Sequence, residues 1–201
     1  TELFQDAALD GWDGLGFVAQ AYQRRALPLI DYLAELARRA GRRMPLRLVK
    51  GAYWDSEIKA AQVGGLPSYP VFTRKEHTDV SYLACANRIF SHRGCFFPQF
   101  ATHNARTVTS VITIARHHGV QPGQFEFQRL HGMGEALYAN VGKEHPCRIY
   151  APVGAHKDLL AYLIRRLLEN GANTSFVNLL MDDATPVAEL LADPIAKSRS
   201  G

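Results

Sequence analysis

Several short apolar runs in this chain end in residues that can hold charge or donate hydrogen bonds, and these carry its chemistry. The run Arg47-Leu48-Val49-Lys50-Gly51 is the most informative. On an extended strand Arg47, Val49 and Gly51 share one face, and Leu48 and Lys50 share the other. A cation on each face of a buried strand costs several kcal/mol unless it is paired or meets a ligand. Lys50 reads simply as the exposed strand end. Arg47, three residues deeper, calls for a partner or a ligand, and composition does not choose between them. Gln20 and Tyr22 follow an earlier apolar run, and Tyr53, Trp54 and Asp55 follow Lys50. Gln99, Thr102, His103 and Asn104 cluster near a third run, Arg129 and His131 near a fourth, and Tyr150 closes a fifth.

Two of these groups carry competing readings. Thr102-His103-Asn104 is either a ligand-binding turn or a helix cap in which Asn104 accepts the first free N–H groups and His103 is a satisfied loop residue. Arg165 and Arg166 sit in a helical pattern with Glu169 at i,i+4 from Arg165. They form either a surface ion pair contributing a few tenths of a kcal/mol, or a bidentate clamp for a carboxylate.

Other chemistries lack their signatures. His77, His103, His117, His118, His131 and His156 show neither HExxH nor cysteine partners at metal-ligand spacing, so no metal site is expected. Cys85, Cys95 and Cys147 are odd in number and contain no CxxC, which argues against a disulfide framework and for a reducing cytoplasm. The sequence lacks GxGxxG and GxxxxGK[ST]. The excess of 23 Lys and Arg over 19 Asp and Glu gives only +4, too dispersed to require nucleic acid. The one dense basic run, Arg38, Arg39, Arg42 and Arg43, reads as a solvated helix end. No apolar run is long enough to cross a bilayer, which leaves peripheral membrane contact open.

These residues need a scaffold, and the periodicity supplies one. With 201 residues, 47% of them hydrophobic and 21% charged, the chain suits a soluble domain with a sizeable core. Extended segments are expected at Gly14 to Ala21, Met44 to Gly51, Cys95 to Thr102, Gln124 to Leu130 and Cys147 to Val153. Between them, Leu29, Ile30, Leu33, Leu36 and Ala37 make one helical stripe, and Val108, Val111, Ile112 and Ala115 make another. Leu159, Leu160, Leu163, Ile164, Leu167 and Leu168 make a third, ending at Gly171. Strands alternating with helices give an α/β fold with a parallel sheet. Without a dinucleotide fingerprint, the expected architecture is a (β/α)8 TIM-type barrel, of which about the last five β/α units are present. Residues 1–13 look like the tail of a preceding helix. Residues 181–201 look like a linker carrying one short helix around Val187 to Leu191.

The blocks RLVKGAYWDSEIK (47–59), YPVFTRKEHTDVSYLACA (69–86), FATHNA (100–105), FEFQRLHGMGE (125–135) and RIYAPVGAHKDLLAYLIRRLLENGANTSFV (148–177) closely resemble the proline dehydrogenase family, in order and without large gaps. The resemblance is strongest to the proline dehydrogenase domain of the bacterial bifunctional enzymes. It implies a distorted barrel that holds FAD at the carboxyl ends of its strands. It also implies oxidation of L-proline to 1-pyrroline-5-carboxylate, with electrons passed to a membrane quinone. Carried over by position, the cofactor contacts would be Gln20, Arg47, Val49, Lys50, Gly51, Ala52, Trp54, Thr73, Ala101, Thr102, His103 and Glu169. Tyr53 and Tyr150 would pack on the substrate ring, Arg165 and Arg166 would grip its carboxylate, and Arg47, Tyr53 and Tyr150 would be the residues closest to the chemistry. A lysine for the carboxylate and an aspartate beside the active-site arginine, both supplied by earlier strands in the family, would precede Thr1. Residues 1–180 would then be the carboxyl-terminal part of the barrel, and 181–201 a linker toward an aldehyde dehydrogenase module. The resemblance further implies a cytoplasmic location, with contact at the inner membrane face to reach the quinone; oligomeric state stays open. The rival expectation is a catalytically incomplete half-barrel that binds flavin weakly or acts as a folding or interaction unit. A flavin absorption spectrum would separate the two.

Overall fold

All five expected extended runs form strands, each shorter than its apolar pattern. They are β1 (Phe17–Gln20), β2 (Met44–Val49), β3 (Phe96–Ala101), β4 (Glu126–Leu130) and β5 (Cys147–Tyr150). This computed structural model describes residues 2–171, 186, 188 and 192–199, and the side chains of 165–171 lie outside that description. The strands form one sheet in the order β1-β2-β3-β4-β5, every neighbour parallel. Parallel neighbours require a crossover, and helices supply each one. They are α1 (Ala26–Ala40), α2 (Trp54–Val63), α3 (Lys75–Ser91), α4 (Ala105–His117) and α5 (Glu135–Val141), with α6 (His156–Gly171) following β5. This succession of β/α units is that of a TIM-like barrel.

The sheet has two unlike faces. Along β2, Met44, Leu46 and Leu48 are buried, whereas Pro45, Arg47 and Val49 are only partly covered; β3 alternates in the same way. The buried set meets the helices. Leu46, Leu48, Phe100 and Phe127 pack with Ile30 and Leu33 of α1, Ile89 and Phe90 of α3, and Val108 and Val111 of α4. Phe90, Phe100 and Phe125 form an aromatic nucleus with ring centroids 5.2 to 5.9 Å apart, the spacing of edge-on and tilted pairs.

The basic run after α1 departs from the solvated helix end expected of it. Gly41, at φ 62°, caps α1 by donating to Ala37 and Arg38 carbonyls. Arg38 pairs with Glu35 on the surface, as the pattern predicts. Arg42, however, donates to the carbonyls of Phe4 and Leu9 at 3.0 and 2.7 Å, and Arg43 to those of Phe96 and Gln124 at 2.8 and 3.2 Å. Five fixed donors let an arginine fasten two segments at once, and these two fasten the amino-terminal segment and the strand entrances. The amino-terminal segment itself is two 3₁₀ turns (Leu3–Gln5 and Ala7–Leu9), with Asp6 accepting from the Ala8 N–H. Near the other end, α7 (Pro194–Arg199) packs on α3 with Pro194 buried. Most of the helix expected around Val187 to Leu191 falls outside the described residues.

Candidate functional site at the carboxyl ends of the strands

Parallel topology brings the ends of all five strands to one side of the molecule. Four backbone links tie these ends together. The Ala21 and Tyr22 N–H groups donate to Val49 and Lys50 carbonyls, both at 2.8 Å. His131 donates to the Tyr150 carbonyl at 2.8 Å, and Phe72 to that of Tyr22 at 2.8 Å. The last bond folds the loop after α2 back over the end of β1, carrying Thr73 there. Trp54 fastens the same loop through its indole N–H, 2.9 Å from the Phe72 carbonyl. Gln20, Lys50 to Trp54, Thr73, Thr102, His103 and Tyr150 therefore share one rim.

The open face of the sheet leads down from this rim. Register sets Val18, Arg47, Gln99 and Glu126 in one row, and Gln128 and Arg148 in the next. Arg47 lies on β2 and Tyr150 on β5, three strand spacings of about 4.8 Å apart. The Arg47 guanidinium nevertheless sits over the Tyr150 ring, 4.8 Å from its centroid, because both side chains lean across the open face. The Arg47 Nε is buried without a hydrogen-bond partner, and among the described residues Arg47 makes no ion pair. Of the two roles the sequence allowed, pairing is thus absent among the described residues. Beside it, Glu126 accepts from Gln99 Nε2 at 2.9 Å, Gln128 Nε2 at 2.8 Å and a two-pronged Arg148 at 2.8 and 3.0 Å. Burial alone would push the Glu126 carboxyl up, but Arg148 and the two amides outweigh it and hold it below its ordinary value.

At the rim, Lys50 pairs with Asp79 of α3, and Lys75 reaches the other Asp79 oxygen at 2.9 Å. Burial lowers the Lys50 pKa, and Asp79 opposes that shift. Burial would raise the Asp79 pKa, but the two lysines win and hold it low. Gly51 makes a close approach: a Cβ there would meet the Tyr22 ring at 2.4 Å. Ala52 is half-buried, while Tyr53, Trp54 and Thr73 are exposed. Val49 and Ala101 are partly covered on the open face.

The Thr102-His103-Asn104 turn does structural work. Asn104 Oδ1 accepts the Thr107 N–H at 3.0 Å and so caps α4, as one of the two readings had it. His103 Nε2 accepts the Leu130 N–H at 3.0 Å, which leaves Nδ1 as the ring's proton-bearing nitrogen. Thr102 is buried, accepts the Asn104 N–H with its hydroxyl, and offers its carbonyl to Tyr138 at 2.8 Å. This hydrogen bonding pins the turn against β4. Arg129 points away from the open face, donating to the Met133 carbonyl at 3.1 Å. Arg165, Arg166 and Glu169 belong to α6, which follows β5, and their side chains lie outside the described residues. Sequence reasoning missed Glu126, Gln128, Arg148 and Asp79. Polar residues at alternate positions of β4 (Glu126, Gln128) and β5 (Arg148) were the available signal.

A family profile described as proline dehydrogenase matches residues 1–179. The chain is 60% identical over 195 residues to the bifunctional protein PutA of Klebsiella aerogenes, covering 94% of this chain and 15% of that one. It is 31% identical over 166 residues to proline dehydrogenase 2 of Bacillus subtilis, covering 82% of this chain and 48% of the other. A crystal structure of a variant of Bradyrhizobium japonicum proline utilization A superposes with a TM-score of 0.90 at 55% identity, over 96% of this chain and 20% of that one. The chain thus spans about half the length of the shorter of these relatives and a small part of the longer.

Proposed function

The chain belongs to the proline dehydrogenase family, and from that premise we propose that it forms the carboxyl-terminal part of the site at which L-proline is oxidised to 1-pyrroline-5-carboxylate, with FAD as cofactor and a membrane quinone as the electron acceptor. One observation carries the reading. A half-buried arginine on the open face, stacked on a tyrosine and with its buried Nε unpaired among the described residues, is a donor that calls for an acceptor.

The residues present fit a flavin. Arg47, Val49, Gln20 and Ala101 offer one cation, one amide and short side chains along the open face, which suits a flat ring with hydrogen-bonding edges. Lys50, Gly51, Ala52, Trp54, Thr73, Thr102, His103 and Glu169 are the candidates for the rest of the cofactor. When bound, the flavin supplies the two-electron acceptor for the substrate C–H bond. Arg47 contributes a positive charge fixed in advance beside that acceptor, where negative charge develops as electrons arrive. Tyr150 and Tyr53 pack against the proline ring, and Arg165 and Arg166 bind its carboxylate through paired N–H donors. Anchoring the carboxylate while two tyrosines exclude water holds the ring carbon at a fixed approach. In the parent protein residues 181–201 lead toward an aldehyde dehydrogenase module.

The test uses the full-length protein that contains this chain. Proline should bleach its visible flavin absorbance, and Arg47→Met should slow that bleaching at least tenfold at saturating proline. Bleaching unchanged by Arg47→Met would remove Arg47 from the site.

A second reading is favoured by the exposure of the outer strands. Phe17, Val18 and Ile149 are 44%, 47% and 53% exposed. On its own the polypeptide would be an incomplete barrel that binds flavin weakly.

A further inference from the structure

Lys50 differs from the other cofactor candidates of the rim in where its side chain goes. It follows the last residue of β2 and continues the face of Leu46 and Leu48, which are fully buried against the helices. Its ammonium turns toward α3, away from the open face, and pairs there with Asp79 Oδ1. The other carboxylate oxygen accepts from Lys75 at 2.9 Å. Lys75 is the first residue of α3, and Thr73 stands two residues before it. One carboxylate thus joins the end of β2, which leads into Gly51, Ala52 and Trp54, to the loop that carries Thr73. The same two segments meet again at Tyr22, which donates its N–H to the Lys50 carbonyl and accepts the Phe72 N–H on its own carbonyl, each at 2.8 Å. Packing alone does not call for this arrangement. Apolar residues in place of a buried ion pair are often as stabilising or more so, and Leu48 shows that the layer takes leucine two residues earlier. What the ion pair adds is direction, since it holds two main-chain segments at one separation, whereas apolar contact is non-directional.

We propose that Asp79 is a positioning residue for the cofactor, anchoring Lys50 and Lys75 so that the main chain at 50–52 and the Thr73 loop stand at a fixed spacing across the rim. Lys50 then serves the flavin through its main chain, and its ammonium is an anchor rather than a ligand. The proposal rests on the flavin reading above. Loss of the Asp79 charge releases both lysines at once, whereas loss of the Lys50 ammonium leaves the Lys75 bond in place. The two changes act on one anchor, so their effects on flavin binding do not add. An anchor of this kind also separates flavin affinity from overall stability, because a comparable loss of core packing elsewhere on α3 leaves the rim intact.

The experiment measures FAD dissociation constants and melting temperatures of the full-length protein that contains this chain. The variants are Asp79→Asn, Asp79→Glu, Lys50→Met and the double Lys50→Met/Asp79→Asn. Ile89→Val, buried further along α3, is the control that lowers stability through the core alone. Asp79→Asn should weaken FAD binding about tenfold, the scale of one lost charge-assisted bond. Lys50→Met should weaken it no more than that, and the double variant should match Asp79→Asn, as expected of residues in one network. Asp79→Glu should keep most of the affinity, and Ile89→Val should keep all of it despite a lower melting temperature. Wild-type affinity in Asp79→Asn, or effects of Lys50→Met and Asp79→Asn that multiply, would overturn the proposal. Hydrogen exchange of the flavin-stripped full-length proteins gives a readout that does not involve the cofactor. The Tyr22 and Phe72 amides should exchange faster in Asp79→Asn than in wild type or Ile89→Val, and equal rates would equally refute the anchor. Wild-type protein that binds no FAD would instead refute the functional reading, and the exchange rates would still judge the anchor.

Discussion

At the scale of single residues, electrostatics on the rim makes a prediction with a definite sign. Asp79 is held below its ordinary carboxyl value of 3.8 by Lys50 and Lys75. A depressed carboxyl contributes stability that is full above the unfolded value and lost as pH falls through the folded one. Asp79→Asn should therefore cost about 1–2 kcal/mol near neutrality, less than for a fully buried pair because Lys75 is largely exposed. The cost should shrink as pH drops below about 4, the ordinary aspartate range. Paired thermal melts of wild type and variant from pH 7 to 3 check it, and a difference that stays constant down to pH 3 would rule out the pairing. Tyr150 and the arginine pair give two further outcomes, measured in the full-length protein. Tyr150→Ser should weaken proline use and relax discrimination against a hydroxylated ring, since the tyrosine covers one side of the site. Arg165→Met or Arg166→Met should raise KM for proline far more than it lowers flavin content, because one charge-assisted bond is worth about 1.5–3 kcal/mol. Arg47 was legible because a buried cation on a strand is costly. Glu126 was not, because Arg148 and Gln99 lie 22 and 27 residues away and meet it across strands, and only Gln128 is local.

At the scale of elements, the sheet and helices α1, α4 and α6 were readable from periodicity, whereas α2, α3 and α5 carried weaker stripes. Only Ala61 is buried in α2, so no apolar stripe marks it. In α3 the buried side is built from Tyr82, Cys85, Ala86, Ile89 and Phe90, confined to its second half. The first half turns Lys75 and Asp79 toward the rim, and function there replaces apolar patterning. Strand ends were overestimated because Gly14 and Gly51 continue an extended pattern beyond the paired residues. Asn104 shows how a local rule and a site coincide, since its cap fixes the turn that carries Thr102 and His103. Asn104→Ala should cost about 1 kcal/mol of stability and lower flavin retention modestly, through loosening of that turn. Gly51→Ala should weigh more on both, costing about 1–3 kcal/mol by crowding a buried ring and bringing a marked loss of bound flavin. Its Cβ can be accommodated only by displacing the Tyr22 ring and, with it, the Glu57 contact. Flavin-to-protein ratios and melting temperatures of the two variants, read together, distinguish the cases. If Gly51→Ala retained full flavin, the close approach would be incidental.

At the scale of the whole molecule, one face of the sheet is finished and the other is not. The helix side buries a continuous core from Ala19 to Tyr138. The opposite side leaves Arg148 exposed above its partner, and both outer strands present apolar side chains to solvent. The α6 stripe read from the sequence is exposed too: Leu160, Leu163 and Ile164 are 51%, 46% and 47% accessible. Periodicity identified that stripe correctly but carries no information about what covers it. Unpaired strand edges are templates for pairing, and in a closed barrel they do not exist. These features predict how the 201-residue polypeptide behaves when produced alone. Its edges and the α6 stripe should drive self-association. The flavin site, walled by five strands where a closed barrel supplies eight, should bind cofactor weakly and give no measurable proline-dependent dye reduction. Supplying the remaining strands of the barrel as a separate polypeptide should compete for the same edges, lower the degree of association and raise bound flavin, because both processes use the outer sides of β1 and β5. Sedimentation velocity, flavin absorbance and dye-coupled proline oxidation of the single polypeptide, with and without the complementing piece, test the chain of reasoning. A monomer with stoichiometric flavin and ordinary turnover would mean that the exposed edges are harmless and that the site is complete on the five strands described.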